Sequence, residues 1–180
     1  MHFFRTEDSY EAYAEMVRTD YLRRVFAETK ILAGEGDMER WYSLLDDPAY
    51  YEKLRDRVEI EFAPTQRRTF GATEPVSLAV DVKNVKKLLI KVFEINTVNY
   101  YRTNLREINT AIDLDGLVAN DEKTYTYTEP PLRRVKRHFE FPALTQRGIY
   151  VIDFIGSGKS SRALVRKGGP ERHMQRHIER

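Results

Sequence analysis

The sequence predicts a mainly β protein: an antiparallel β-sandwich of about seven strands behind a short α-helical N-terminal segment. Three observations carry that prediction. At Val58 the apolar pattern changes from a helical period to strict alternation. From there to Lys167, short alternating runs follow one another with turn residues, and no helical pattern, between them. The last two runs are separated by Gly156-Ser157-Gly158, residues suited to a tight hairpin.

The helical segment occupies residues 1–57. Ser9 can cap a first helix whose Tyr10, Tyr13, Met16, Val17, Leu22, Val25 and Phe26 fall near a 3.6-residue period, and Gly34-Glu35-Gly36 ends it. Asp37 reads as the cap of a second helix with Trp41, Leu44 and Leu45 on one face. Asp47-Pro48 fits the cap and first position of a third. Helices this short are marginal alone, so the segment is expected to dock on the remainder or on a neighbour through its apolar face. Trp41, Tyr42, Tyr50 and Tyr51, with Leu45 and Leu54, are the interaction candidates. A buried helical face also explains their spacing.

The strands occupy 58–168. Val58, Ile60 and Phe62 alternate with glutamates up to Pro64; Leu78, Val80 and Val82 alternate with Ala79 and Asp81; Lys87 to Ile95 is a longer central strand. The break at Asn84 suggests that the last two pair as a hairpin. Asn96 to Asn120 is less regular, with Ile112-Asp113-Leu114-Asp115-Gly116-Leu117 as a turn between apolar pieces. Strands resume at Thr124–Tyr127, at Val135–Phe141 after Pro130-Pro131, and at Ile149–Ile155, before the closing Arg162-Ala163-Leu164-Val165.

Gly156-Ser157-Gly158-Lys159-Ser160-Ser161 looks like a phosphate-binding loop, but Asp153 stands where such a loop needs glycine, and no amphipathic helix follows. The hexapeptide reads as a hairpin connection. A phosphate- or nucleotide-binding domain remains the alternative in a different functional class. Asp113, Asp115, Gly116 and Glu122 hold the third, fifth, sixth and twelfth positions of a calcium loop, yet Ala111 takes the first; they are weak metal candidates beside a simple Asp-Gly turn. His173 and His177 could share a helical face but have no third ligand in view. Arg133, Arg134, Lys136 and Arg137 fit charge protection of an edge strand at least as well as nucleic-acid contact. No Ser/His/Asp set or carboxylate pair has spacing that supports catalysis, and no cofactor is implied. Tyr100, Tyr101, Tyr125 and Tyr127 offer a further alternative, a carbohydrate-binding sandwich face.

Composition narrows the classes. A chain of 180 residues with 41% hydrophobic and 12% aromatic residues can build one domain core with an appendage. It has no cysteine, hence no disulfide or thiolate metal site. No apolar run approaches a membrane span, and the N-terminus lacks a signal-peptide pattern. Net charge is +2, but seven Lys and Arg against two Glu lie between Lys159 and Arg180, giving a basic, flexible tail at 169–180.

The strand ending in Pro64, Val76-Ser77-Leu78-Ala79-Val80 leading to Lys91-Val92-Phe93-Glu94-Ile95, Phe139-Glu140-Phe141-Pro142 and Gly148-Ile149-Tyr150-Val151-Ile152 with its closing strand resemble a macroglobulin-type immunoglobulin-like domain of large alpha-2-macroglobulin-like proteins. The resemblance covers residues 58–167. It implies an immunoglobulin-like sandwich, structural roles for Gly148 and Tyr150, a fragment of a longer polypeptide and an extracytoplasmic or cell-envelope setting. With no cysteine for a thioester, the family's chemistry does not carry over. The expected function is therefore a non-enzymatic structural or protein-interaction module, whose partners are neighbouring domains or another protein rather than nucleic acid or membrane.

Overall fold

A computed structural model describes residues 3–105 and 108–168; the tail expected at 169–180, with His173 and His177, lies outside the described residues. The chain forms two compact units. The first takes in the chain up to Glu59 together with Asp81–Lys86 and Tyr127–Val135. The second comprises Ile60–Val80, Lys87–Thr126 and the chain from Lys136.

In the first unit the helices are α1 (Thr19–Ala33), α2 (Met38–Ser43) and α3 (Pro48–Asp56), preceded by 3-10 turns at Phe3–Arg5 and Glu11–Tyr13. The helix expected from Ser9 does not form as one piece. Ser9 Oγ accepts from the Glu11 amide at 3.1 Å, closing a short turn, and α1 starts only at Thr19. Its end follows the sequence signal: Gly34 adopts φ +65°, and its N–H donates to the Lys30 and Ile31 carbonyls. Asp37 accepts from Arg40 N at 3.2 Å and Asp47 from Ala49 N at 2.9 Å, capping α2 and α3. The apolar faces meet around Phe26, whose ring has Phe4, Tyr10 and Trp41 at centroid distances of 5.5–5.7 Å.

A buried ionic knot organises this unit. Glu59 is only 1% exposed. Arg57 Nε donates to one of its carboxylate oxygens at 2.6 Å and Arg134 Nε to the other at 2.5 Å. The Arg57 guanidinium also reaches the buried Glu28 of α1 at 2.7 Å, and the Tyr50 hydroxyl donates to that same carboxylate. Beside them, the buried ammonium of Lys83 donates to the carbonyls of Leu54 (2.5 Å), Arg57 (2.7 Å) and Arg55 (3.3 Å), satisfying the C-terminal end of α3. Burial draws the Lys83 ammonium down to about 8 against the pull of Glu59. Burial alone would raise the Glu59 carboxyl, but Arg134 and Arg57 outweigh it and hold the group below its ordinary 4.5.

The strands form two sheets of an immunoglobulin-like sandwich. One has three strands in the order β1 (Glu59–Phe62), β3 (Val76–Lys83), β6 (Arg134–Phe141). The other has five in the order β2 (Thr69–Phe70), β8 (Lys159–Lys167), β7 (Gly148–Gly156), β4 (Lys87–Ile95), β5 (Asp121–Thr126). The hairpin expected between β3 and β4 is absent, since those strands lie in different sheets. Asn84, at φ +56°, turns the corner and donates its side-chain amide to the Asp56 carbonyl at 3.1 Å. The sandwich is also mixed, because the two-residue β2 runs parallel to β8; a strand that short has no periodicity to read.

Within the second unit the sandwich core centres on Phe154 of β7, which is fully buried. Phe62 of β1 and Phe139 of β6 approach it edge-on at 5.3 Å, and Phe141 at 6.5 Å. The opposite face of the five-stranded sheet is covered too. Residues between β4 and β5 include an unforeseen helix, α4 (Thr97–Asn104), capped by Asn96. Ile108, Ile112 and Leu114 pack with Phe93, Ile95, Val151 and Leu164 in a satellite core. Arg162 pins this covering: its Nη1 donates to the Ile112 carbonyl at 2.8 Å while its Nε meets buried Asp153 at 3.1 Å.

Replacing Phe154 by alanine removes the ring on which three others converge and should cost about 3–5 kcal/mol in chemical denaturation. Glu59→Gln leaves Arg134 and Arg57 facing a neutral amide in a buried site and should cost about 3–5 kcal/mol. In the unmodified protein the contribution of Glu59 is fully present above pH 4.5 and is lost as the pH falls below it through the depressed native value. Urea midpoints measured from pH 7 down to pH 3 should therefore fall less steeply in the variant.

Candidate protein-interaction surface

The four aromatic interaction candidates of the helical segment differ in burial. Trp41 is 7% exposed and its indole N–H donates to the Glu35 carbonyl at 2.8 Å, so it is a core residue rather than a contact point. Tyr42, 37% exposed, and the half-buried Tyr51 pack edge to face at 5.0 Å. Burial, then the Tyr51 hydroxyl, raise the Tyr42 phenol. Tyr50 is half-buried; burial and its bond to Glu28 push its phenol up to about 12, so it serves as a neutral donor.

Tyr50 nevertheless contributes its ring to a surface. The Arg24 guanidinium lies 5.5 Å from the Tyr50 ring centroid and 5.9 Å from that of Tyr21, which is 51% exposed. Val17, 41% exposed, shares a groove with Tyr21 and Arg24, and its chain neighbour Met16 is 75% exposed. Val17, Arg18, Asp20, Tyr21 and Arg24 line an open groove of about 420 Å³. Arg18 and Asp20, both in its lining, pair across 2.6 Å, so Arg24 carries the net positive charge of the groove. Tyrosine, arginine and methionine are the residue types enriched at protein interfaces, and a ring–guanidinium stack presents them already ordered.

Sequence periodicity had placed Met16 and Val17 on the buried side. Because the helix starts at Thr19, their register does not continue into α1, and both project outward. Tyr21 and Arg24 carried no separate signal; three-residue spacing on one helix could have flagged them as neighbours.

The remaining candidates do not converge. Gly156 and Lys159 form the last pair of the β7–β8 ladder, and Ser157 and Gly158 take φ +48° and +76° in the two-residue turn between them, which leaves no phosphate cradle. Lys159 reaches Glu61 at 3.5 Å. Asp113 Oδ1 accepts from the Asp115 amide at 2.9 Å in a turn, whereas Glu122 on β5 faces Lys91 at 3.5 Å. Among the described residues no three His, Cys, Asp or Glu gather as a metal site. Tyr100 and Tyr101 are on α4, Tyr100 packing into the satellite core, whereas Tyr125 is on β5 and meets Phe139 edge to face at 5.2 Å, so the tyrosines do not line one sandwich face. Tyr150 donates its hydroxyl to the Gln146 carbonyl at 2.9 Å, while a Cβ at Gly148 would meet the Tyr150 ring only at ordinary contact distance. Arg134 is spent on Glu59, and β6 is an edge strand. Among the described residues no helix is long and apolar enough to cross a membrane.

Residues 1–58 match the family model described as the Actin-binding protein F N-terminal domain, and residues 88–168 match the AbpF first immunoglobulin-like domain. The chain is 42% identical over 167 residues to Actin-binding protein F of Dictyostelium discoideum. That alignment covers 92% of this chain and 7% of the relative. No solved structure matches. These matches overturn the macroglobulin resemblance: strand order and a Gly-x-Tyr are common to many immunoglobulin-like sandwiches and did not discriminate between them. The extracytoplasmic setting rested on that resemblance and loses its basis with it. The chain is thus an immunoglobulin-like β-sandwich with a helical N-terminal segment, similar over 92% of its length to a stretch of Actin-binding protein F and not to a macroglobulin-type domain.

Proposed function

We propose that this chain is a non-enzymatic docking module of a longer actin-binding polypeptide and that it contacts actin directly through the face formed by Met16, Val17, Tyr21 and Arg24. The observation that supports the partner is the 42% identity over 92% of the chain to a protein named for actin binding. The face follows from physical chemistry. Large apolar side chains at 41–75% exposure beside an ordered ring–guanidinium stack lose little entropy when covered and release water from apolar surface. The helical segment over 1–57 also docks on the sandwich or a neighbouring domain in this reading.

Co-sedimentation of the 180-residue chain with filamentous actin tests the proposal. The chain should pellet with filaments, and Tyr21→Ala and Arg24→Ala should each weaken binding about fivefold to tenfold. Tyr21→Ala should change stability by no more than about 0.5 kcal/mol, because the ring is half in solvent. A chain that stays in the supernatant at tens of micromolar filaments would remove actin as its direct partner. Pelleting that ignores both substitutions would place the contact elsewhere.

A further inference from the structure

The second unit carries a groove unlike the helical face in chemistry. It has a volume of about 530 Å³ and lies where β4 ends, β7 begins and β8 ends. Its floor is apolar: Ile95 and Ile149 are register partners on adjacent strands, and Arg166 of β8 continues the same row across the sheet. Its wall is basic. Arg147 is exposed and Arg166 half-exposed, and among the described residues neither has an ion-pair partner. Lys167 adds positive charge from beneath, its buried ammonium donating to the Glu74 carbonyl. Glu94 supplies the acidic residue of the lining.

Arg147 is held in place by the backbone. Gly168 adopts φ +79°, and a Cβ there would come within 2.5 Å of Arg147 Cγ, so the glycine admits the arginine stem against the end of β8. The Arg147 and Arg166 guanidiniums and Lys167 outnumber Glu94 in the lining, so the groove beside the apolar strip carries net positive charge. Planar forks of this kind take carboxylates in pairs of parallel hydrogen bonds.

We infer that this groove binds an acidic, extended peptide segment of a partner protein, with carboxylates on Arg147 and Arg166 and an apolar side chain over Ile95 and Ile149. The two guanidiniums are complementary in charge to carboxylate side chains, and the strip of apolar floor between strand ends accommodates an apolar side chain beside them. It is independent of the helical face and of actin.

The test uses the whole chain and a dye-labelled octaglutamate peptide, with octalysine as control, in fluorescence anisotropy at roughly 50 mM salt, where screening is weak. Octaglutamate should bind and octalysine should not, and roughly 0.5 M salt should weaken the complex several-fold. The Arg147→Glu/Arg166→Glu double variant should lose at least about tenfold in affinity. Glutamate at 147 retains the Cβ and Cγ that pack on Gly168, and an unchanged melting temperature confirms the fold. Arg102→Glu, a reversal on an exposed residue of α4, should leave binding within about twofold. Absence of octaglutamate binding, or loss of binding in Arg102→Glu equal to that in either groove variant, overturns the proposal. If the double variant proves less stable, Arg147→Glu alone decides by the same comparison.

Discussion

A charge that folding takes out of water must be met by opposite charge and hydrogen bonds, and the Glu59 carboxylate imposes that condition on its whole unit. It stands at the first position of the first strand. Its partners come from the end of α3 and the start of β6, and through Arg57 the requirement passes to Glu28 on α1. Three stretches distant in sequence, around Glu28, Arg57–Glu59 and Arg134, therefore have one arrangement in which these buried charges are satisfied. Lys83 extends the condition by closing the carbonyl end of α3 from the last position of β3. Hydrophobic contacts around Phe26 supply drive without direction; the ionic knot supplies the direction.

The sandwich unit uses a different device. Rings from two strands of the small sheet meet Phe154 edge-on, and Arg162 ties the β4–β5 connection over the other face of the large sheet. With both faces of β7 covered, its alternation is masked: Val151, Ile152, Asp153 and Phe154 are all buried. The large apolar side chains that stay exposed in this unit, Val98, Tyr101, Leu105, Leu117 and Val118, lie on α4, at its end and in the connection to β5, where a scaffold can present contact residues at little cost to the core. Among the described residues, the helical face of the first unit is aromatic and the groove of the second is cationic, and both carry interface chemistry.

Much of the architecture was legible because it depends on local rules. Asp37, Asp47-Pro48 and Gly34 announced helix ends, and alternation announced most strands, including the hairpin through Ser157 and Gly158. Sheet membership was not legible: β3 and β4 looked like a hairpin because a break of a few residues fits either a tight turn or a corner between sheets. The candidate surface was legible only in residue type. Aromatic residues at helical spacing marked the region, but Trp41 turned inward and Tyr21 outward, and that choice depends on where α1 begins. The macroglobulin assignment failed for a related reason, since strand patterns encode a sandwich without encoding its family.

By itself, then, the sequence determined the fold class, the caps of α2 and α3, the glycine end of α1, the tight hairpin and the absence of thiol chemistry, all properties of short stretches or of composition. Only the tertiary structure decided which strands share a sheet, which charges are buried together and which aromatic and basic side chains face solvent. Glu28, Glu59, Lys83 and Arg134 look like ordinary surface charges in one dimension. Their partners lie up to 75 positions away, and desolvation gives those pairings their energy only after the chain has brought them together.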